Sequence, residues 1–335
     1  SNSTQGALLL EPQRTNSLLQ SNQFDTTWVK ASATIESGKS GVGGSANAWK
    51  LTTSTGFGYL VQTVGVSGTK TFSVYAKSDT SDGIVLRLLG GSNPYVFWSL
   101  VDGSYLGSGG GADLIDKKST SIGNGWFRLD ITTTVDCTSV RIYCGDTTGN
   151  FDSGSIYIQY AQLEVGSYAT SYIPTDGATA TRNQEICNNA TPEINSAEGV
   201  LYTEISALAD DNTYRILSIS NSTPSERIYI QYTNASNTVS VVVKNGNVTQ
   251  ANLSYVLSNE TDMNKIAIRW KLNNFSLWVN GVKVATDTNG LTPIGLSELS
   301  FDNGSGGNNF FGNTKGLKIY NTALTDAQLQ TLTTI

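Results

Sequence analysis

The sequence predicts an all-β protein built as two β-sandwich domains in succession. Apolar residues recur in short alternating or continuous runs of strand length, separated by turn-forming Gly, Asn and Asp. Charged residues make up only 14% of the 335, Pro numbers 6 and Gly 34, a profile that suits strands joined by tight turns under a surface of hydroxyls and amides. Hydrophobic residues, at 38%, are enough to fill two cores.

Two blocks bracket the first half, LLLEPQRTN at 8–16 and AQLEVGSYATSYIPTDGATATR at 161–182. About 140 residues lie between them, the length of one sandwich domain. Residues 71–77 (TFSVYAK), 84–89 (IVLRLL), 126–132 (WFRLDIT), 140–144 (VRIYC) and 155–163 (SIYIQYAQL) read as strands. Turns separate them at Ser81-Asp82-Gly83, Gly123-Asn124-Gly125 and Asp152-Ser153-Gly154. Nothing in this half has a helical period. The number and spacing of the strands indicate a jelly roll or related sandwich, whose first and last strands often lie side by side. LLLEPQRTN is therefore expected against AQLEVGSYATSYIP. The Gly-, Ala- and Thr-rich stretch at 174–181 reads as the boundary, giving domains at 1–175 and 176–335.

In the second half, strands are expected at 199–206, 215–220, 227–232, 238–244, 265–271, 275–279, 283–287 and 316–320. Asn245-Gly246 and Asn280-Gly281 tolerate the positive φ of type I′ turns, so WVNGVKV reads as a tight hairpin. Near the end, Thr325-Asp326-Ala327-Gln328 has the capping-box pattern, with Leu329 and Leu332 following on one face. One short C-terminal helix is expected there.

These residues carry a resemblance. LLLEPQRTN together with AQLEVGSYATSYIPTDGATATR resembles a carbohydrate-binding-module-like domain that recurs in bacteriophage tail-fibre and other virion surface proteins. NKIAIRWKLNNFSLWVNGVKVATDT (264–288), LSELSFDNGSGGNNFFGN (296–313) and LKIYNTALTDAQLQTL (317–332) are similar to concanavalin-like, laminin-G-type domains appended to such proteins. The resemblance implies a jelly roll followed by a concanavalin/laminin-G-like sandwich. It further implies a virion structural or adhesion protein, a tail or head fibre exposed on the virion surface. Host-surface glycans and other virion proteins are its implied partners, and a homotrimer is expected by analogy with fibres. The alternative is an ancillary carbohydrate-binding module of a secreted bacterial polysaccharide-degrading enzyme. Within the signature, Glu11, Arg14 and Asn16 surround Pro12, while Tyr172 belongs to an aromatic strip facing them. Arg14 is expected to be partly buried and hydrogen-bonded, with Glu164 as a carboxylate partner, tying the ends of the domain together. The competing reading has Glu11 and Arg14 touching ligand.

Composition argues against several functions. Net charge is −6, neither half is basic, and only Lys117 and Lys118 are adjacent, which disfavours nucleic acid. No stretch approaches the roughly 20 apolar residues needed to span a bilayer. The sequence begins at Ser1 rather than Met, which fits a processed fragment. Histidine is absent, which removes the commonest general base and every Ser-His or Cys-His arrangement. No Glu-x-Asp-x-x-Glu motif occurs, and Asp210-Asp211 reads as a solvated loop, so no catalytic residue is assigned and a non-enzyme is expected. Cys137, Cys144 and Cys187 do not make a disulfide framework; Cys137 and Cys144 read as small core residues, with mutual pairing as the other option.

An aromatic ring stacks on the apolar face of a sugar while polar neighbours hold its hydroxyls. Tyr59, Tyr95, Trp98 and Tyr105 are the candidates, each with core packing as the competing reading; Trp126, Trp270 and Trp278 are expected in cores. Asp146, Asn150 and Asp152 in one loop, and Asp302 in another, are oxygen-rich sequences that suit Ca²⁺ or simple Asx turns equally.

Overall fold

The computed structural model describes residues 6–335. It is all-β apart from two 3₁₀ turns and the single α-helix Asp326–Thr333. The chain forms two compact units, Gln13–Asn183 and a second made of the segment ending at Pro12 with Gln184–Ile335. This division departs from the expected boundary at 175/176. The break falls after Asn183 because Ala180–Arg182 pairs with Arg14–Asn16 inside the first unit. The first strand, Leu8–Leu10, instead pairs with Gly312–Tyr320 of the second unit, Leu8 opposite Thr314, and buries Leu10 in that unit's core. Only the latter part of LLLEPQRTN therefore meets the AQLEVG block, through Asn16, and the next residue, Ser17, donates its N–H to Leu163 O at 2.7 Å. Pro12 has no N–H to give to a ladder and separates the two pairings.

The first unit is a sandwich of two six-stranded antiparallel sheets. The front sheet runs Tyr105–Gly109, Tyr95–Ser99, Gly83–Leu89, Cys137–Gly145, Tyr59–Val66 and Val29–Ala31. The back sheet runs Leu114–Gly123, Trp126–Thr133, Lys70–Ser78, Gly154–Val165, Ala48–Thr53 and Ala33–Lys39. The period of two sends Ile84, Leu86 and Leu88 inward from the front and Phe127, Leu129 and Ile131 inward from the back, into one core. Cys137 and Cys144 lie in that core as free thiols, and burial pushes both up to about 11. They are core residues and do not pair. Cys187, also free, packs half-buried against the second core.

The tie between the ends of this sandwich is Asn16. It is fully buried; its Nδ2 donates to Ala161 O at 3.3 Å and Ile173 O at 2.9 Å, while Oδ1 accepts from Leu18 N at 3.2 Å and Leu163 N at 3.1 Å. Arg14 was expected to hold this place by a fixed hydrogen-bonded fork. It is partly buried, but its Nε stays 3.7 Å from Glu164 Oε2, its hydrogen bond runs to the adjacent Gln13 O, and its guanidinium leans on the Tyr168 ring. The carboxylate of Glu164 is already engaged by Gln162 Nε2 and by the Thr170 N–H and hydroxyl, which leaves Arg14 the longer contact. Tyr172 joins the same region through a 2.6 Å hydrogen bond with Ser21 Oγ. Glu11 belongs to the second unit, where its N–H donates to Glu185 Oε2 and its carbonyl accepts from Glu185 N–H.

The second unit packs a six-stranded sheet, Leu8–Leu10, Gly312–Tyr320, Glu198–Ala207, Asn264–Lys271, Phe275–Val279 and Val282–Asp287, on a five-stranded one. The latter runs Val248–Val256, Thr238–Asn245, Arg227–Tyr232, Arg215–Ser220 and Glu298–Ser300. Asn280 and Gly281 have φ of 49° and 85° and close the expected hairpin. In the other hairpin the positive φ falls one residue later than expected, on Gly246 and Asn247. The capping box forms, with Gln328 N–H donating to Thr325 Oγ1 and Thr325 N–H to Gln328 Oε1, and the helix seats Leu329 against Val200, Tyr202, Ala267 and Trp278. Trp126, Trp270 and Trp278 are all buried. Among the described residues no helix is long and apolar enough to cross a membrane.

Candidate functional site

The outward face of the front sheet is where unusual side chains gather. The alternation that points Ile84, Leu86 and Leu88 into the core points Val85 and Arg87 the other way, and the same rule turns Arg141 and Tyr143 outward on the neighbouring strand. Register then aligns them in rows. Val61, Arg141, Arg87 and Tyr95 stand opposite one another across four strands, and Tyr59, Tyr143, Val85 and Phe97 form the next row.

The second row is an aromatic cluster. Phe151, from the loop after Cys137–Gly145, lies over it with ring centroids 5.0 Å from both Phe97 and Tyr143, and the exposed Phe57 ring packs 5.2 Å from Phe151. Such spacings are those of favourable tilted and edge-to-face ring pairs. The first row carries the charge. The Arg141 guanidinium lies 4.2 Å from the Tyr59 ring centroid and donates to Tyr143 Oη at 3.2 Å; that of Arg87 lies 5.7 Å from the Tyr95 ring. At Gly109 a Cβ would fall 2.6 Å from Cε1 of Tyr95, so a side chain there would displace the ring.

Of the four aromatic candidates, Tyr59 and Tyr95 share this face, half-buried and separated by two strands. Trp98 does not: YVFWS alternates, Tyr95 and Phe97 point out, and Trp98 is sealed in the core at 1% exposure. Tyr105 is exposed but stands away from the row, with Lys117 Nζ 4.6 Å from its ring and its hydroxyl bonded to Ser108. Arg87, Arg141, Phe57 and Phe151 escaped the sequence reading.

The proposed calcium ligands are occupied by their own turns. Asp146 Oδ1 accepts from Thr148 N–H, Thr148 Oγ1 and Asn150 N–H; Asn150 Nδ2 donates to Thr148 Oγ1; Asp152 Oδ2 takes the Ser81 hydroxyl. Asp302, buried in the second unit, accepts from Gly304 N–H. Among the described residues no three acidic, His or Cys side chains converge, and both loops are built as Asx turns. Asp210 and Asp211 likewise serve structure, the first bonded to Ser236 and the second paired at 2.7 Å with buried Arg215.

The architecture is that of a chain with two antiparallel β-sandwich units. The sequence matches no family model, and no curated protein is similar to it. Among solved structures, the CBM40 of the Ruminococcus gnavus IT-sialidase is similar over 45% of this chain and 96% of its own, at 17% identity and a TM-score of 0.37. Domains LG4-5 of the mouse laminin α1 chain cover 95% of this chain and 92% of their own, at 11% identity and 0.30. The homodimeric agglutinin CG-16 from chicken liver covers 40% and 99%, at 11% and 0.28. At these values none of them bears on what this chain binds.

Proposed function

We propose that this chain is a non-catalytic glycan-binding protein that takes a sugar on the outward face of its front sheet. The observation that carries the reading is the pair of adjoining rows on the outward face of the front sheet, in which Arg141 lies over the Tyr59 ring and Arg87 near the Tyr95 ring. Rings supply stacking surface and the guanidinium N–H groups supply donors for sugar oxygens, the combination a saccharide requires. The resemblance of the two bracketing blocks to virion surface modules supports placing this activity on a phage tail or head fibre, where the protein serves host adhesion. Fibre display carries the expectation of a homotrimer, which the mass of the purified chain in solution will test.

The binding experiment is a saccharide panel screened with the full chain and with Tyr59→Ala and Tyr95→Ala. Loss of a stacking ring is expected to weaken binding about five- to tenfold and, because each ring also packs in the aromatic cluster, to lower the stability of the first unit by about 1 kcal/mol, so binding is compared at a temperature where both variants are folded. Absence of binding across the panel, or binding indifferent to both substitutions, would remove this face from consideration. Gene neighbourhood separates a virion protein from a module of a polysaccharide-degrading enzyme.

A further inference from the structure

Arg87 and Arg141 are directly opposed in the antiparallel pairing of Gly83–Leu89 with Cys137–Gly145. Like charges in that position repel and weaken a sheet. Elsewhere the described arginines each reach a carboxylate or a backbone carbonyl, as Arg128 does with Asp130 and with Thr170 O. Arg87 and Arg141 reach neither: among the described residues no carboxylate lies within ion-pairing distance of them, and Arg87 makes no side-chain hydrogen bond. The Nε of each is buried without a partner, as it is in five of the six other described arginines, so what sets this pair apart is the missing carboxylate or carbonyl. In a chain with 27 acidic residues against 21 basic ones, counter-charges are not scarce, yet this pair has none.

A half-buried cation pair left without its anion is poorly compensated within the chain, and the charge it lacks is one that a ligand can bring. We propose that Arg87 and Arg141 together receive the carboxylate of an acidic sugar, a residue of the uronic-acid type, whose ring rests on Tyr59 or Tyr95. This rests on the same face being the saccharide site. A carboxylate offers two coplanar oxygens, and guanidinium groups borne on directly opposed positions can each take one of them, which fixes the orientation of the sugar as well as its charge.

The test is titration of the full chain with acidic saccharides, namely galacturonate, glucuronate and mannuronate oligomers and a sialylated oligosaccharide. Each is compared with its methyl ester, and neutral and sulfated oligosaccharides are run alongside. The acid is expected to bind about ten- to a hundredfold more tightly than its ester, and R87Q and R141Q should each remove most of that advantage, bringing acid and ester affinities close together. Because each substitution relieves a like-charge contact, the first unit should melt at the same temperature or higher. Equal binding of acid and ester, with sensitivity to Tyr59→Ala, would overturn the carboxylate site and leave the glycan-binding reading standing. Preference for sulfated sugars would also overturn it. A lowered melting temperature with acid binding intact would mean that the arginines support the sheet instead. No binding to any saccharide would end both proposals.

Discussion

Asn16 has both donors and both acceptors of its amide engaged, out of contact with solvent. Asn16→Ala would leave two carbonyls and two N–H groups buried without partners, so the first sandwich should lose on the order of 3 kcal/mol in denaturant melts. Arg14→Lys, which alters a 3.7 Å ion pair at the edge of solvent, should cost within about 1 kcal/mol. A reversed order of the two effects would return the clasp to Arg14. Glu260 offers a test by pH. It is buried, its Oε2 has no partner, and burial, reinforced by the charge of Asp210, pushes its carboxyl up to about 7. The folded chain therefore holds this proton more tightly than the unfolded chain does. Its effect on the second unit is most favourable below about pH 4.5 and declines as pH rises through about 7, by on the order of 3 kcal/mol. Glu260→Gln should flatten that slope in melting curves recorded across this range; an unchanged slope would point to another group.

At the scale of elements, Leu8–Leu10 is short but consequential. Leu10 is 5% exposed in the core of the second unit, so Leu10→Ala is expected to lower that unit's stability by about 2–4 kcal/mol and to leave the first unit's transition alone. This strand also marks the limit of what sequence could reveal. Period-two segments such as IVLRLL, the WVNGVKV hairpin and the capping box at Thr325 were legible, because their causes are local. The partner of Leu8–Leu10 was not, since pairing across the whole chain leaves no local trace. Val248–Val256 went unread because only Ala251 and Leu253 point firmly inward, which makes its alternation faint. In the site, Tyr59 and Tyr95 were picked out by their Gly and Pro neighbours, and Trp98 by the same reasoning in error: the phase of YVFWS is decided by the core opposite. Arg87 and Arg141 each look like an ordinary charge within a strand. Their opposition is a matter of register between distant segments.

At the scale of the whole molecule, the two units have separate cores and should melt in two transitions. Gln13–Asn183 expressed alone should fold cooperatively. Gln184–Ile335 alone should be weaker than within the full chain, and a peptide of residues 6–12 added in trans should raise its melting temperature by filling the open edge beside Gly312–Tyr320; no rise would mean the edge strand adds little. The edge also has a history in time. During synthesis Leu8 emerges first and Thr314 about 300 residues later, so at ribosomal rates of roughly 5–20 residues per second the strand waits for its partner on the order of half a minute. In that interval Gln13–Asn183 has time to fold, and its pairing of Arg14–Asn16 with Ala180–Arg182 draws the two crossing points of the chain together. Once it has done so, the loop still to be closed before Leu8 meets Thr314 is only the second unit's own length. The first sandwich thus acts, kinetically, as a splint for the folding of the second.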